Sequence, residues 1–149
     1  MGTKKIIILC CAFLFADEFC ENPAFAQTVV EDVPMTFATF TVSPGGGTIT
    51  LQPNGGTVYS NIIAVSGSLV AAQATVSGLP LTAFVMTYPA QASMTGGVGT
   101  VTLDNFTDDA PATTDIGGNA TFNIGARLNA DYGTSGSFSG NFLVTVNYN

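Results

Sequence analysis

The chain has 149 residues, a formal net charge of −7 and no histidine or tryptophan. Its three cysteines (Cys10, Cys11, Cys20) and both lysines (Lys4, Lys5) all precede Gln27. That leaves Arg127 as the one basic side chain of residues 27–149, against Glu31, Asp32, Asp104, Asp108, Asp109, Asp115 and Asp131. Without His or Cys, that stretch cannot build a zinc site, a nucleophile paired with histidine or a disulfide, and a single Arg cannot neutralise a row of phosphates, which excludes nucleic-acid binding.

The first element is an export signal. Lys4-Lys5 is followed by an uninterrupted apolar run from Ile6 to Ala16, then a polar stretch closing on Ala24-Phe25-Ala26, the order of charged end, apolar core and small-residue cleavage site. The apolar run has about 11 residues where a spanning helix needs roughly 20. It is too short to remain as an anchor. Leu9 precedes Cys10 and Phe19 precedes Cys20, so neither cysteine follows the small residue that lipid attachment requires. The expectation is a signal peptide over 1–26, cleavage before Gln27, no integral membrane span after cleavage, and one domain over 27–149 exported to the periplasm, cell surface or medium.

From Gln27 on, threonine and glycine are abundant and long helix formers are few, so local preference favours strands. Short runs of alternating apolar and polar residues are punctuated by Gly45-Gly46-Gly47, Gly55-Gly56, Gly96-Gly97 and Gly117-Gly118, the rhythm of one antiparallel sandwich or small barrel. Residues two apart share a strand face. In chain order, the first run places Met35 with Phe37 and then, after a phase slip that predicts a bulge, Phe40 with Val42. Ile49 pairs in phase with Leu51. Around Ile62, Ile63, Ala64 and Val65 both faces are apolar, which predicts a central or doubly covered strand. Val70, Ala72, Ala74 and Val76 follow, then Phe84, Met86 and Tyr88, then Val101 and Leu103. Phe122, Ile124, Ala126 and Leu128 are expected inward, with Thr121, Asn123 and a solvated Arg127 outward. The last run turns Phe138, Phe142, Val144, Val146 and Tyr148 inward and Ser137, Ser139, Asn141, Thr145 and Asn147 outward.

Met35-Thr36-Phe37-Ala38-Thr39-Phe40, followed by Gly45-Gly46-Gly47-Thr48-Ile49-Thr50-Leu51-Gln52-Pro53-Asn54-Gly55, resembles a family of exported bacterial domains known as domain of unknown function 4402. Ala74-Thr75-Val76-Ser77-Gly78, Thr102-Leu103-Asp104-Asn105-Phe106 and the ending from Gly136 through Tyr148 are similar to that family's later blocks. More distantly, the layout is similar to pilin subunits of the spore-coat and archaic chaperone-usher type. That likeness implies a single immunoglobulin-like antiparallel β-sandwich at the cell surface, completed in such pilins by a neighbour's N-terminal strand. The donor here would be Thr28-Val29-Val30-Glu31-Asp32-Val33, which places Glu31 between Val29 and Val33 on the face that a groove-filling strand keeps apolar.

Candidate sites are few. Asp104, Asp108 and Asp109 form the densest acidic cluster, and calcium takes six to eight oxygen ligands. The spacing is not that of an EF-hand loop, because Phe106 occupies a ligand position, and loop solvation is the expected reading. Asp108 and Asp109 could in principle share acid and base work, yet they are sequence neighbours in a polar loop, and no catalytic residue and no cofactor are expected. Two Asn-x-Thr sequons, at Asn105 and Asn119, are what a threonine-rich chain produces by chance. Tyr59, Tyr88 and Tyr132 would make a sugar-stacking platform if they shared a face. The phases of Tyr59 and Tyr88 instead predict core packing, leaving Tyr132 in a glycine-rich loop. The closing strand is too short to belong to an outer-membrane barrel. Together these features favour a non-enzymatic structural or adhesive protein of the periplasm or cell surface, pilin-like in form and capable of self-association or surface assembly. A small monomeric glycan- or calcium-binding module is the alternative.

Overall fold

The structure is a computed structural model that describes residues 3–9 and 28–148. The proposed cleavage motif Ala24-Phe25-Ala26 and all three cysteines lie outside the described residues. Thirteen strands and no helix are present among them: β1 (Thr3–Leu9), β2 (Thr28–Val33), β3 (Thr39–Val42), β4 (Gly47–Leu51), β5 (Thr57–Ser60), β6 (Ile62–Ser66), β7 (Ala72–Ser77), β8 (Phe84–Thr87), β9 (Ala92–Val98), β10 (Val101–Asp108), β11 (Asn119–Ala130), β12 (Ser135–Ser139) and β13 (Asn141–Tyr148). All pairings are antiparallel. The all-β sandwich expectation holds.

One sheet runs β1-β13-β8, and a larger path runs β2-β7-β11-β10-β9-β12-β3-β6, with β4 joining β11 to β5. β11 is the spine. Its first half, Asn119–Ile124, pairs with β7, and its second half, Ala126–Ala130, pairs with β4. The change of partner falls on Gly125, where a Cβ would lie 2.2 Å from the Leu51 carbonyl oxygen. The opposite neighbour, β10, answers with a register shift between Asp104 and Thr107, centred on Asn105 in a left-handed conformation (φ 46°). A corner of this kind lets one long strand serve both layers.

The interior is the one that alternation predicts. Phe122, Ile124, Ala126 and Leu128 of β11 are buried, as are Phe142, Val144, Val146 and Tyr148 of β13, Ile49 and Leu51 of β4, and Ala72, Ala74 and Val76 of β7. Phe40 stacks on Phe138 at 5.6 Å, and Phe84 meets both Phe122 and Tyr148 at just over 6 Å (6.4 and 6.3 Å), separations at which tilted aromatic pairs attract. The final run divides at Gly140, whose absent side chain leaves room for the Ser93 carbonyl (2.7 Å from an ideal Cβ).

Four local expectations change. The phase slip after Phe37 is a break in the strand: Phe37 and Ala38 are both buried, Thr36 makes an isolated bridge to Val70, and β3 starts only at Thr39. Val70, held by that bridge, is 38% exposed. Ile62–Val65 is not a central strand: β6 is the terminal strand of its path, paired only with β3; Ile62 packs against the core, but Ile63 is 63% exposed. Tyr59 follows the same phase out of the core, because β5 is also an edge strand and is exposed throughout. Apart from these four, Thr3–Leu9, which falls within the expected leader, pairs along its whole length with β13, from Thr3 opposite Asn147 to Leu9 opposite Asn141.

Candidate functional site

The carboxylates of the acidic cluster are carried by β10 and the loop after it, and the β10 bulge separates them. Asp104 precedes the bulge and faces Arg127 across the β10–β11 ladder. Arg127 Nε donates to Asp104 Oδ1 and Nη2 to Oδ2, each at 2.9 Å, a bidentate pair. Arg127 therefore points outward as alternation requires, but it is paired, not merely solvated. The guanidinium bond holds the Asp104 carboxyl below its ordinary range, with a further contribution from Asn129, and Asp104 in turn raises Arg127.

Past the bulge, Asp108 Oδ2 accepts the Tyr88 hydroxyl proton at 2.8 Å and Oδ1 accepts the Ala110 N–H at 3.1 Å. Tyr88 is half-buried and its ring stacks on Phe106 at 5.7 Å, which in turn meets Phe142 at 4.7 Å. Burial, then the bond to Asp108, pushes the Tyr88 hydroxyl well above its usual pKa. It is a neutral donor, not a base. Asp109 accepts from the Asn123 backbone N–H at 2.5 Å and from Asn123 Nδ2 at 2.9 Å, tying the loop to β11. Asp115 caps its own turn by accepting from Gly117 N and Asn119 N, both at 2.8 Å.

Each carboxylate of the cluster thus serves a separate internal partner, and no group of three or more His, Cys, Asp or Glu able to hold a metal ion occurs among the described residues. Asp104, Asp108 and Asp109 do not form one such group. The three tyrosines do not form a common platform by pairing or stacking either: Tyr88 lies against Phe106, Tyr59 on the β5 edge opposite Ile49, and Tyr132 in the β11–β12 loop, 68% exposed. A shallow, open depression of about 300 Å³ lies beside that loop, lined by Gly45, Gly46, Gly47, Ser60, Asn61 and Asp131 among others.

Sequence reasoning missed the partners more than the residues. Asn123 is expected outward, and Asn129 and Thr114 carry no expectation. Thr114 is in fact 1% exposed, with its hydroxyl donating to the Leu79 carbonyl at 2.6 Å and accepting from Thr82 N–H at 3.0 Å. These contacts join residues far apart in the chain, and no local pattern encodes them.

The Asp104 shift has a consequence for acid stability. A carboxyl whose folded pKa is depressed contributes stability above its unfolded pKa, about 3.9, and loses it as pH falls through the lower folded value. The pair is partly exposed (38% and 23% for the two side chains), so screening keeps the effect small. Thermal unfolding of Arg127→Met should show a shallower fall in Tm between pH 5 and 2 than the parent chain, by on the order of a few degrees. Identical slopes would mean the pair is not formed in solution.

No helix among the described residues is long and apolar enough to cross a membrane. No curated protein and no solved structure matches the chain. The family model described as Domain of unknown function (DUF4402) matches residues 28–148, from the first residue of β2 to the last of β13. The match spans the sandwich and every residue of the acidic cluster, and the chain therefore belongs to the DUF4402 family.

Proposed function

We propose that this chain is an exported, non-catalytic structural or adhesive β-sandwich protein of the periplasm or cell surface. The observation that carries the reading is the use of its polar groups. Asp104, Asp108, Asp109 and Asp115 are all committed to internal hydrogen bonds that brace strands and turns, while β5 and β6 run one after the other as an edge with Val58, Tyr59, Ile63 and Val65 at the surface. A body stiffened by its charges and presenting apolar edges suits contact with other surfaces. Export is supported by the Lys4-Lys5, apolar-run and Ala24-Phe25-Ala26 order.

The pilin-like form of this reading has Thr28–Val33 as donor strand. That segment lies on β7 of its own chain, with Thr28 opposite Ser77 and Glu31 opposite Ala74, so donation would require β2 to leave β7 for a neighbour. The alternative, a monomeric glycan- or calcium-binding module, draws on the depression beside the exposed Tyr132.

Expression of the complete chain in a diderm host, fractionation and intact-mass measurement test the first reading. The expected product lies outside the cytoplasm, lacks residues 1–26 and shows no calcium-dependent rise in Tm. Cytoplasmic retention at full mass would defeat export. Saturable binding of a glycan or of calcium to a monomer, abolished by Tyr132→Ala or Asp131→Asn, would favour the alternative.

A further inference from the structure

The edge of β13 that β1 occupies differs from every other edge of the fold. β2 carries Glu31 and Asp32 and a register shift against β7. β6 is five residues long, begins after Asn61 in a left-handed conformation (φ 54°), and has a register shift against β3. β5 and β8 have four residues each, and Pro89 follows shortly after β8. Charges, bulges, prolines and shortness are the devices that keep exposed sheet edges from pairing with other chains. β13 has none of them. Its eight residues, Asn-Phe-Leu-Val-Thr-Val-Asn-Tyr, contain no charge, no proline and no glycine, and after the exposed Asn141 they alternate buried and half-buried. Its ladder with β1 runs without a shift over seven residues.

The family match runs from Thr28 to Tyr148 and does not include β1. Removal of residues 1–26, the cleavage on which this inference rests, would leave that matched span with a bare, uncharged strand of eight residues.

We propose that the processed chain dimerises by antiparallel pairing of β13 with β13 of a second copy, across a two-fold axis at Val144. Three observations point to a second copy. β1 covers residues 141–147 of β13 in antiparallel sense, centred on Ile6 opposite Val144, and a two-fold pairing of β13 with itself has that same sense and can take the same centre. In this register Asn141 meets Asn147, Phe142 meets Val146 and Leu143 meets Thr145, so the inward faces of both copies stay on one side of the joined sheet, as a one-residue slip would not allow. The surface is also neutral in an acidic chain: none of the seven acids of residues 27–149 lies on β13, so two copies can meet there without direct like-charge opposition. Closed two-fold pairs are the commonest assembly of identical chains.

The test uses the chain expressed with its own leader and purified after export, with intact mass reporting cleavage separately from assembly. Sedimentation of material lacking residues 1–26 is expected to show a dimer. Thr145→Lys places two ammonium groups on diagonal neighbours across the axis and should give a monomer with an unchanged far-ultraviolet spectrum. A synthetic peptide of the Thr3–Leu9 sequence, in excess, should dissociate the parent dimer by taking the same edge. Full-length material that stays monomeric while the cleaved form dimerises supports the proposal. A cleaved chain that remains monomeric at high concentration overturns it, as do open-ended filaments or a dimer unaffected by both Thr145→Lys and the peptide. Retention of residues 1–26 in all exported material would instead remove the cleavage on which the edge depends.

Discussion

Gly125→Ala is expected to lower the unfolding free energy by about 3 kcal/mol or more in urea denaturation, at the upper end of what overpacking costs. The methyl group would meet the Leu51 carbonyl oxygen at 2.2 Å, the Gln52 carbonyl carbon at 2.8 Å and Pro53 Cδ at 2.9 Å. Two of these are backbone and the third is a proline ring, so none can swing aside as a flexible side chain would. Because β4 leaves β11 at this point, relief would require the β4 ladder from Leu51 to Gly47 to shift. Gly55→Ala supplies the control: nothing lies within 4 Å of its Cβ, and only the left-handed φ of 81° opposes the change, which costs about 1–2 kcal/mol. A Gly125→Ala loss no larger than that of Gly55→Ala would show that the end of β4 does not cross β11 at this corner.

Phe142→Ala is the second large effect, with an expected loss of roughly 3 to 5 kcal/mol against a typical total near 5 to 15. Phe142 is 3% exposed and packs on Phe106 at 4.7 Å. Truncation leaves a cavity at the junction of β13 and β10 and removes the support beneath the Tyr88–Phe106 stack that orients the Tyr88 bond to Asp108. Phe106→Ala should cost less, since Phe106 is only half-buried. Equilibrium unfolding of both variants decides the ranking; a Phe142→Ala loss below about 1 kcal/mol would mean that the inward face of β13 is misplaced.

Alternation was readable wherever a strand has one wet and one dry face. Phe122, Ile124, Ala126 and Leu128, and likewise Phe142, Val144, Val146 and Tyr148, are buried as their spacing requires, because a two-residue period depends on nothing beyond the strand itself. The same reasoning failed at Ile62–Val65. An apolar run with no polar face is consistent with a covered strand, but coverage is supplied by neighbours, and here β6 has one neighbour instead of two. Tyr59 failed for the same reason on β5. Arg127 shows an intermediate outcome: its outward direction followed from phase, whereas its pairing with Asp104, 23 residues away, followed from the β10–β11 register. The acidic cluster looked dense along the chain, yet one bulge at Asn105 sends its members to different partners.

Composition and periodicity, being local properties, were enough to exclude histidine- and cysteine-based chemistry from residues 27–149, to assign an all-β sandwich and to name most of its interior. Tertiary structure alone decided which strands became edges, which carboxylate met which donor, and that β13 pairs with β1 on one side and β8 on the other. Those outcomes rest on pairings between segments distant in sequence, whose register is set by the packing of the whole interior.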